Sequence, residues 1–322
     1  MIAGASENKP TTIEELLGAD TMRRLDRLDL LSRKVFSGRL PGERRSKKRG
    51  RSVEFEDYRA YAPGDDLRHI DWNVFARLDR LFIKIFLDEE DLGLHLVLDL
   101  SASMDAGEPN KLVFCQRLAM ALGYLGLVHN NRVSVTAFGR DHLQRLGECR
   151  GRRNVQRLAR FLLDAPGDHA TPTVASAPGA GADFTSAMRT ISATSAGKGV
   201  LVLMSDFLLH EGYEDGLRLL AGPRGWDIDC MQVLAPGEID PARAAAGAVA
   251  GDLKLTDAET GADAEVTITA ALLTRYKQSL EKYCNDLAAY CAARDMTHLL
   301  VRTDTPIETL LLDDLRRRGM LR

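Results

Sequence analysis

Apolar and polar positions change their period along the chain. From Ile13 to Phe36, Leu16, Leu17, Leu25, Leu28, Leu31 and Val35 recur at helical spacing, which predicts one or two amphipathic helices with a break at Gly18. Residues 51–91 lose that period. Val53 to Tyr61 alternates carboxylates and aromatics, Pro63-Gly64-Asp65-Asp66 reads as a turn, and Leu81 to Phe86 reads as a strand, so a small β-rich subdomain is expected here. From Leu92 onward short apolar runs alternate with helical patterns. Strands are predicted at Leu94–Leu98, Arg132–Phe138, Gly199–Met204, Trp226–Leu234 and Thr297–Val301, and helices at Lys111–Val128, Val155–Leu163, Phe184–Ala193, Asp215–Leu220, Leu272–Arg294 and Ile307–Arg318. Leu253 to Thr269 reads as a hairpin turning at Glu259-Thr260-Gly261. Near-continuous apolar strands alternating with helices predict an α/β fold, a largely parallel sheet covered on both faces. The expected organisation is an N-terminal helical segment over 1–37, a basic loop and β-rich subdomain over 38–91, and an α/β domain over 92–322 with a hairpin insertion near 251–269.

Composition adds exclusions. The 322 residues carry a net charge of -3, with 45% hydrophobic and 28% charged residues, so the chain is neither disordered nor a global cation for nucleic acid or anionic lipid. Charge is nevertheless uneven: Met22 to Arg51 holds twelve basic residues against three acidic ones. The stretch Arg44 to Arg51, poor in aromatics, reads as a solvated loop, with nucleic-acid contact as the alternative. No apolar run approaches the ~20 residues of a membrane helix; Phe114 to Val128 is interrupted by Gln116 and Arg117. The first twenty residues lack the pattern of a signal peptide. Five cysteines without a CxxC pair suggest neither a disulfide framework nor a cysteine zinc site. A reduced, cytoplasmic protein is expected.

Candidate chemistry sits where strands end on aspartate. Leu94 to Leu98 runs into Asp99-Leu100-Ser101-Ala102-Ser103, and Val200 to Met204 runs into Ser205-Asp206. Open α/β sheets bind ligands beyond the carboxyl ends of their strands. One carboxylate and two hydroxyls, with a second carboxylate from a later strand, are hard oxygen donors of the kind Mg²⁺ takes. The alternative is a hydrogen-bonded turn. Enzyme templates do not match: there is no G-x-S-x-G, no H-E-x-x-H, and Gly197-Lys198-Gly199 is not a phosphate loop.

Asp99, Ser101, Ser103 and Asp206 resemble the metal-ion-dependent adhesion site of von Willebrand factor A domains. The block Glu54-Phe55, Tyr58-Arg59-Ala60-Tyr61, Pro63-Gly64-Asp65-Asp66, Arg68, Ile70-Asp71-Trp72 and Ala76-Arg77 resembles the signature of the bacterial family catalogued as domain of unknown function 58. The resemblance implies a von Willebrand A-like domain and a site of degenerate form, because Ala182 stands where the adhesion site carries a threonine. Asp183 or Thr185 is then the candidate replacement ligand. It further implies a non-enzymatic adaptor or co-chaperone, with a MoxR-type AAA+ ATPase as partner and an acidic residue of a protein partner completing the Mg²⁺ shell. Within the signature block, Arg59, Asp65, Asp66, Arg68, Asp71, Trp72 and Arg77 form the candidate partner-binding or structural motif. Carboxylates beside arginines there read as structural ion pairs, for example Asp65 or Asp71 with Arg68 or Arg77. A metal-dependent hydrolase using Asp99 and Asp206 remains the alternative, as does nucleic-acid binding through 44–51.

Overall fold

The computed structural model describes residues 9–26, 28, 55–62, 67, 70–86, 92–139, 142–165, 183–194, 199–221, 225–241, 251–256 and 263–321. The chain divides into two compact units, Ser37–Asp91 and a larger one made of Met1–Phe36 with Leu92–Arg322. The N-terminal helices are therefore part of the α/β unit, not a segment of their own.

Helices α1 (Ile13–Leu16) and α2 (Ala19–Leu25) are separated at Gly18, as the apolar pattern predicts. Thr12 and Glu15 close a capping box on α1, which satisfies backbone donors that a four-residue helix could not satisfy alone. Leu16, Leu17, Leu25 and Leu28 sink into the main core.

In the smaller unit, β1 (Phe55–Ala60) pairs antiparallel with β2 (Phe82–Phe86), and α3 (Trp72–Leu78) lies between them in sequence. The stretch expected to be β-rich thus contains a helix. Its start is fixed by Asp71, whose carboxylate accepts from the backbone N–H of Asn73 (2.9 Å) and Val74 (3.3 Å). Ile70 and Ile83 are the buried apolar contacts here, and the Tyr58 ring meets Phe82 edge-on at 6.4 Å.

The larger unit continues with β3 (Gly93–Asp99), α4 (Lys111–Val128), β4 (Arg132–Gly139), β5 (His142–Cys149), α5 (Val155–Leu163), α6 (Phe184–Thr194), β6 (Gly199–Ser205), α7 (Glu214–Leu220) and β7 (Trp226–Leu234). Then follow α8 (Pro236–Ile239), the hairpin β8 (Gly251–Thr256) with β9 (Asp263–Ile268), α9 (Ala270–Ala292), β10 (Met296–Arg302) and α10 (Ile307–Thr309). The expected closing helix 307–318 is present over 307–317, its middle widened to a π-helix at Leu310–Leu315. The hairpin's predicted turn at 259–261 lies outside the described residues.

Six strands form one sheet in the order β10-β7-β6-β3-β4-β5, parallel except for β5 at the edge. Alternate residues feed two cores, as a sheet covered on both faces requires. Leu94, Leu96 and Leu98 of β3, with Val200, Val202 and Met204 of β6, join the core beneath α4 and α5. Val97, Leu201 and Leu203 join the opposite core beneath α6, α7 and α9. Strand β5 escapes the sequence pattern because it is an exposed edge: only Leu146 and Cys149 of its described side chains are buried. Among the described residues α4 is the helix whose length and composition would span a bilayer, with a mean hydropathy of 1.3 over 18 residues. It is 89% buried in the protein, the environment of a core helix.

Because the chain leaves β3 toward β4 on one side and later places β6 on the other, the sheet's topological switch point falls at the carboxyl end of β3. That is the end on which Asp99 stands.

Candidate functional site

At the switch point the ends of β3 and β6 meet. Asp99 and Asp206 are each 1% exposed. Asp99 accepts from the Ser101 backbone N–H through Oδ1 (2.9 Å) and from the Ser205 hydroxyl through Oδ2 (2.6 Å). Burial, reinforced by the charge of Asp206, pushes the Asp99 carboxyl up to about 6, against the pull of these hydrogen bonds. The two half-buried hydroxyls, Ser101 and Ser103, lie 3.1 Å apart and share a hydrogen bond.

Asp206 is held by its own loop. Its Oδ1 accepts from the Leu208 backbone N–H (3.0 Å), and its carbonyl accepts from the Gln232 side chain (3.1 Å). The next residue, Phe207, takes φ +57, a left-handed conformation that costs a non-glycine residue about 1–2 kcal/mol. Three contacts impose it: the Phe207 N–H donates to Ser205 Oγ (3.0 Å), the Tyr283 hydroxyl donates to its carbonyl (2.5 Å), and its buried ring meets Phe184 at 6.1 Å.

The centre of the cluster is a residue outside the D-x-S-x-S motif. Lys111, the first residue of α4, has a side chain 1% exposed, and its ammonium bonds Asp206 Oδ2 at 2.8 Å and Glu238 Oε1 at 2.5 Å. Glu238 comes from α8, just past the end of β7, where its other oxygen accepts from the Ala235 N–H (2.8 Å). Burial alone would lower the Lys111 ammonium's pKa, but the two carboxylates outweigh it and hold the group above its usual range. A lysine at the first position of a helix opposes the helix dipole. The ion pairs, and not the helix, therefore account for its place. Gly107 (φ +89) makes the approach possible: a Cβ there would lie 2.6 Å from the Cβ of Ala235, in the loop that delivers Lys111 to the sheet end. Sequence signals for this cluster exist in retrospect: a lysine opening the apolar helix after D-x-S-x-S, and a glutamate four residues past the end of β7.

The remaining candidates fall elsewhere. Asp183 is exposed and caps α6 through the Ser186 N–H (2.6 Å), and the Ser186 hydroxyl first, with that backbone N–H, holds its carboxyl below its ordinary value. Thr185 lies in the first turn of the same helix, and Ala182 is outside the described residues. In the other unit, Asp71 is a helix cap that also accepts from the Tyr58 hydroxyl (2.9 Å). Trp72 is 63% exposed, and Arg59 and Arg77 are exposed. Asp65, Asp66, Arg68 and the basic loop 44–51 lie outside the described residues, so the ion pairs expected of Asp65 and Arg68 do too.

A parallel sheet with one antiparallel edge, its switch point carrying D-x-S-x-S opposite a second aspartate, defines an α/β protein of the von Willebrand A-like type. The family model described as "Protein of unknown function DUF58" matches residues 57–284, and the chain belongs to that family. It is 27% identical over 298 residues to the uncharacterized protein Rv1480 of Mycobacterium tuberculosis, covering 91% of this chain and 89% of the relative. Among solved structures it is similar to the conserved hypothetical protein BatB of Bacteroides thetaiotaomicron, at 13% identity, a TM-score of 0.40, and coverage of 71% of this chain and 98% of that one. It is also similar to the SpRpn10 VWA domain, at 10% identity, a TM-score of 0.36, and coverage of 69% and 94%.

Proposed function

We infer that the protein is a non-enzymatic interaction module whose docking edge is the carboxyl end of the sheet. The observation that carries this reading is the state of the carboxylates at the switch point. Every oxygen of Asp99 and Asp206 already accepts from a donor of the chain itself. The hydroxyl beside Asp99, Ser205, is sealed from solvent at 0% exposure. A hydrolase needs a nucleophile or an activated water beside a base; the half-buried Ser101 and Ser103 hydroxyls bond each other and both oxygens of Asp99 accept from Ser101 N–H and Ser205, which supports the docking reading over the hydrolytic one. The family resemblance supplies the partner in this proposal, a MoxR-type AAA+ ATPase, and a role as adaptor or co-chaperone in the cytoplasm.

Direct binding of a purified MoxR-type ATPase tests it. Wild type should bind, and Ser101→Arg, folded as judged by circular dichroism, should weaken binding about tenfold or more. Unchanged affinity in Ser101→Arg would remove the edge as the docking surface. ATP hydrolysis by the pure protein, lost in Asp99→Ala, would replace the adaptor reading with the hydrolase.

A further inference from the structure

We propose that Lys111 is the resident cation of this site, supplying from the chain itself, between Asp206 and Glu238, the positive charge that the resemblance to an adhesion site would assign to a divalent metal. The negative charge that would draw a metal to Asp206 is already compensated. Mg²⁺ demands near-octahedral oxygen and releases water reluctantly, so it is held by carboxylates whose negative charge is otherwise unmet. Here the charge of Asp206 is already met by the chain, since its Oδ2 faces the Lys111 ammonium while its Oδ1 accepts from the Leu208 N–H. A divalent ion at Asp206 would also sit beside a buried ammonium, with like charges close together in a low-dielectric interior.

The lysine does what a metal would do mechanically. It ties the ends of β6 and β7, through Asp206 and Glu238, to the start of α4. It differs from a metal in two ways: it cannot be chelated away, and it offers no open position to a partner's carboxylate. The assignment stands whether or not the edge docks a partner.

Manganese and magnesium themselves are the probes. Wild type should leave the electron paramagnetic resonance signal of free Mn²⁺ undiminished at millimolar concentrations, and its melting temperature should be the same in Mg²⁺ and in EDTA. Lys111→Ala should melt lower in EDTA and recover with rising Mn²⁺, as mass-action linkage requires of an ion that binds only the folded state. Lys111→Arg, which keeps the cation, should show no metal response. Stoichiometric Mn²⁺ binding by wild type, lost in Asp206→Asn, would overturn the assignment. So would a Lys111→Ala chain as stable as wild type in EDTA and indifferent to Mn²⁺. If Lys111→Ala does not fold, the wild-type titration decides alone.

Discussion

Lys111 and His95 show opposite ways of tolerating a titratable group in this core. Lys111 keeps its charge because two carboxylates compensate it; removing one partner of such a pair leaves an uncompensated buried charge, at a cost of about 3–5 kcal/mol. His95, in the middle of β3 and 1% exposed, keeps no charge. Its Nε2 shares a hydrogen bond with Thr136 Oγ1 (2.9 Å) and its ring meets Trp226 at 6.3 Å. Burial, with a smaller push from Arg145, lowers its pKa from 6.5 to about 4. The unfolded chain therefore binds a proton that the folded chain refuses. The stability His95 contributes is fully present above pH 6.5 and is lost as pH falls from 6.5 toward 4. Asp99, held up near 6, acts with the opposite sign, contributing stability that is lost as pH rises through 6. His95→Gln, which can still bond Thr136, should gain on wild type by about 3 kcal/mol between pH 7 and pH 4, measured by urea unfolding across that range. A constant gap between the two curves would show that His95 does not titrate through folding. The strand position of His95 and its place as a satisfied core histidine are legible in the sequence; the Lys111 pairing is not. The local pattern marks a lysine at the start of an apolar helix but not its partners, which lie 95 and 127 residues away.

At the scale of elements, legibility follows burial. The strands with both faces covered, β3, β6 and β7, carry continuous apolar runs and are readable to within a residue or two. The exposed edge β5 and the helix α3 are not, because α3 has no fully buried residue. What makes α3 a helix is a cap. Asp71 satisfies two of the orphan N–H groups at its start and accepts the Tyr58 hydroxyl from β1, so one carboxylate joins helix to hairpin. The alternating charge pattern reads as a structural ion pair of Asp71 with an arginine; the helix cap is a separate duty that this pattern hides. Asp71→Ala should destabilise the smaller unit by about 1–2 kcal/mol, while Asp71→Asn, which retains a cap acceptor, should lose less. Hydrogen exchange at the amides of Asn73 and Val74 measures this. Unchanged protection in Asp71→Ala would mean that the helix start is held by packing.

For the molecule as a whole, the smaller unit interrupts the larger one in sequence. The N-terminal helices cannot be a detachable tail, because they close the core beneath α4. Leu16, Leu17, Leu25 and Leu28 are 2–5% exposed, and burying a leucine is worth about 1.5–3 kcal/mol. Polar contacts hold the same helices: Arg152 and the Tyr124 hydroxyl both donate to Asp26 (2.7 and 2.8 Å), and Arg24 pairs with Glu308 at 2.6 Å. Residues 37–91, by contrast, make a unit with its own paired strands and cap. Replacing 37–91 with a flexible Gly/Ser linker should therefore leave an α/β unit that unfolds cooperatively in urea, with a smaller m-value in proportion to the surface removed. Deleting residues 1–28 should not, since it strips four leucines from the core and leaves the face of α4 and α5 exposed. Loss of cooperative unfolding in the linker variant would mean that the inserted unit is needed for the larger one to fold. If the proposed docking at the end of the sheet holds, the same variant should bind the MoxR-type ATPase as the full chain does; loss of binding with the fold intact would move the proposed surface to the unit that carries Arg59, Asp71, Trp72 and Arg77.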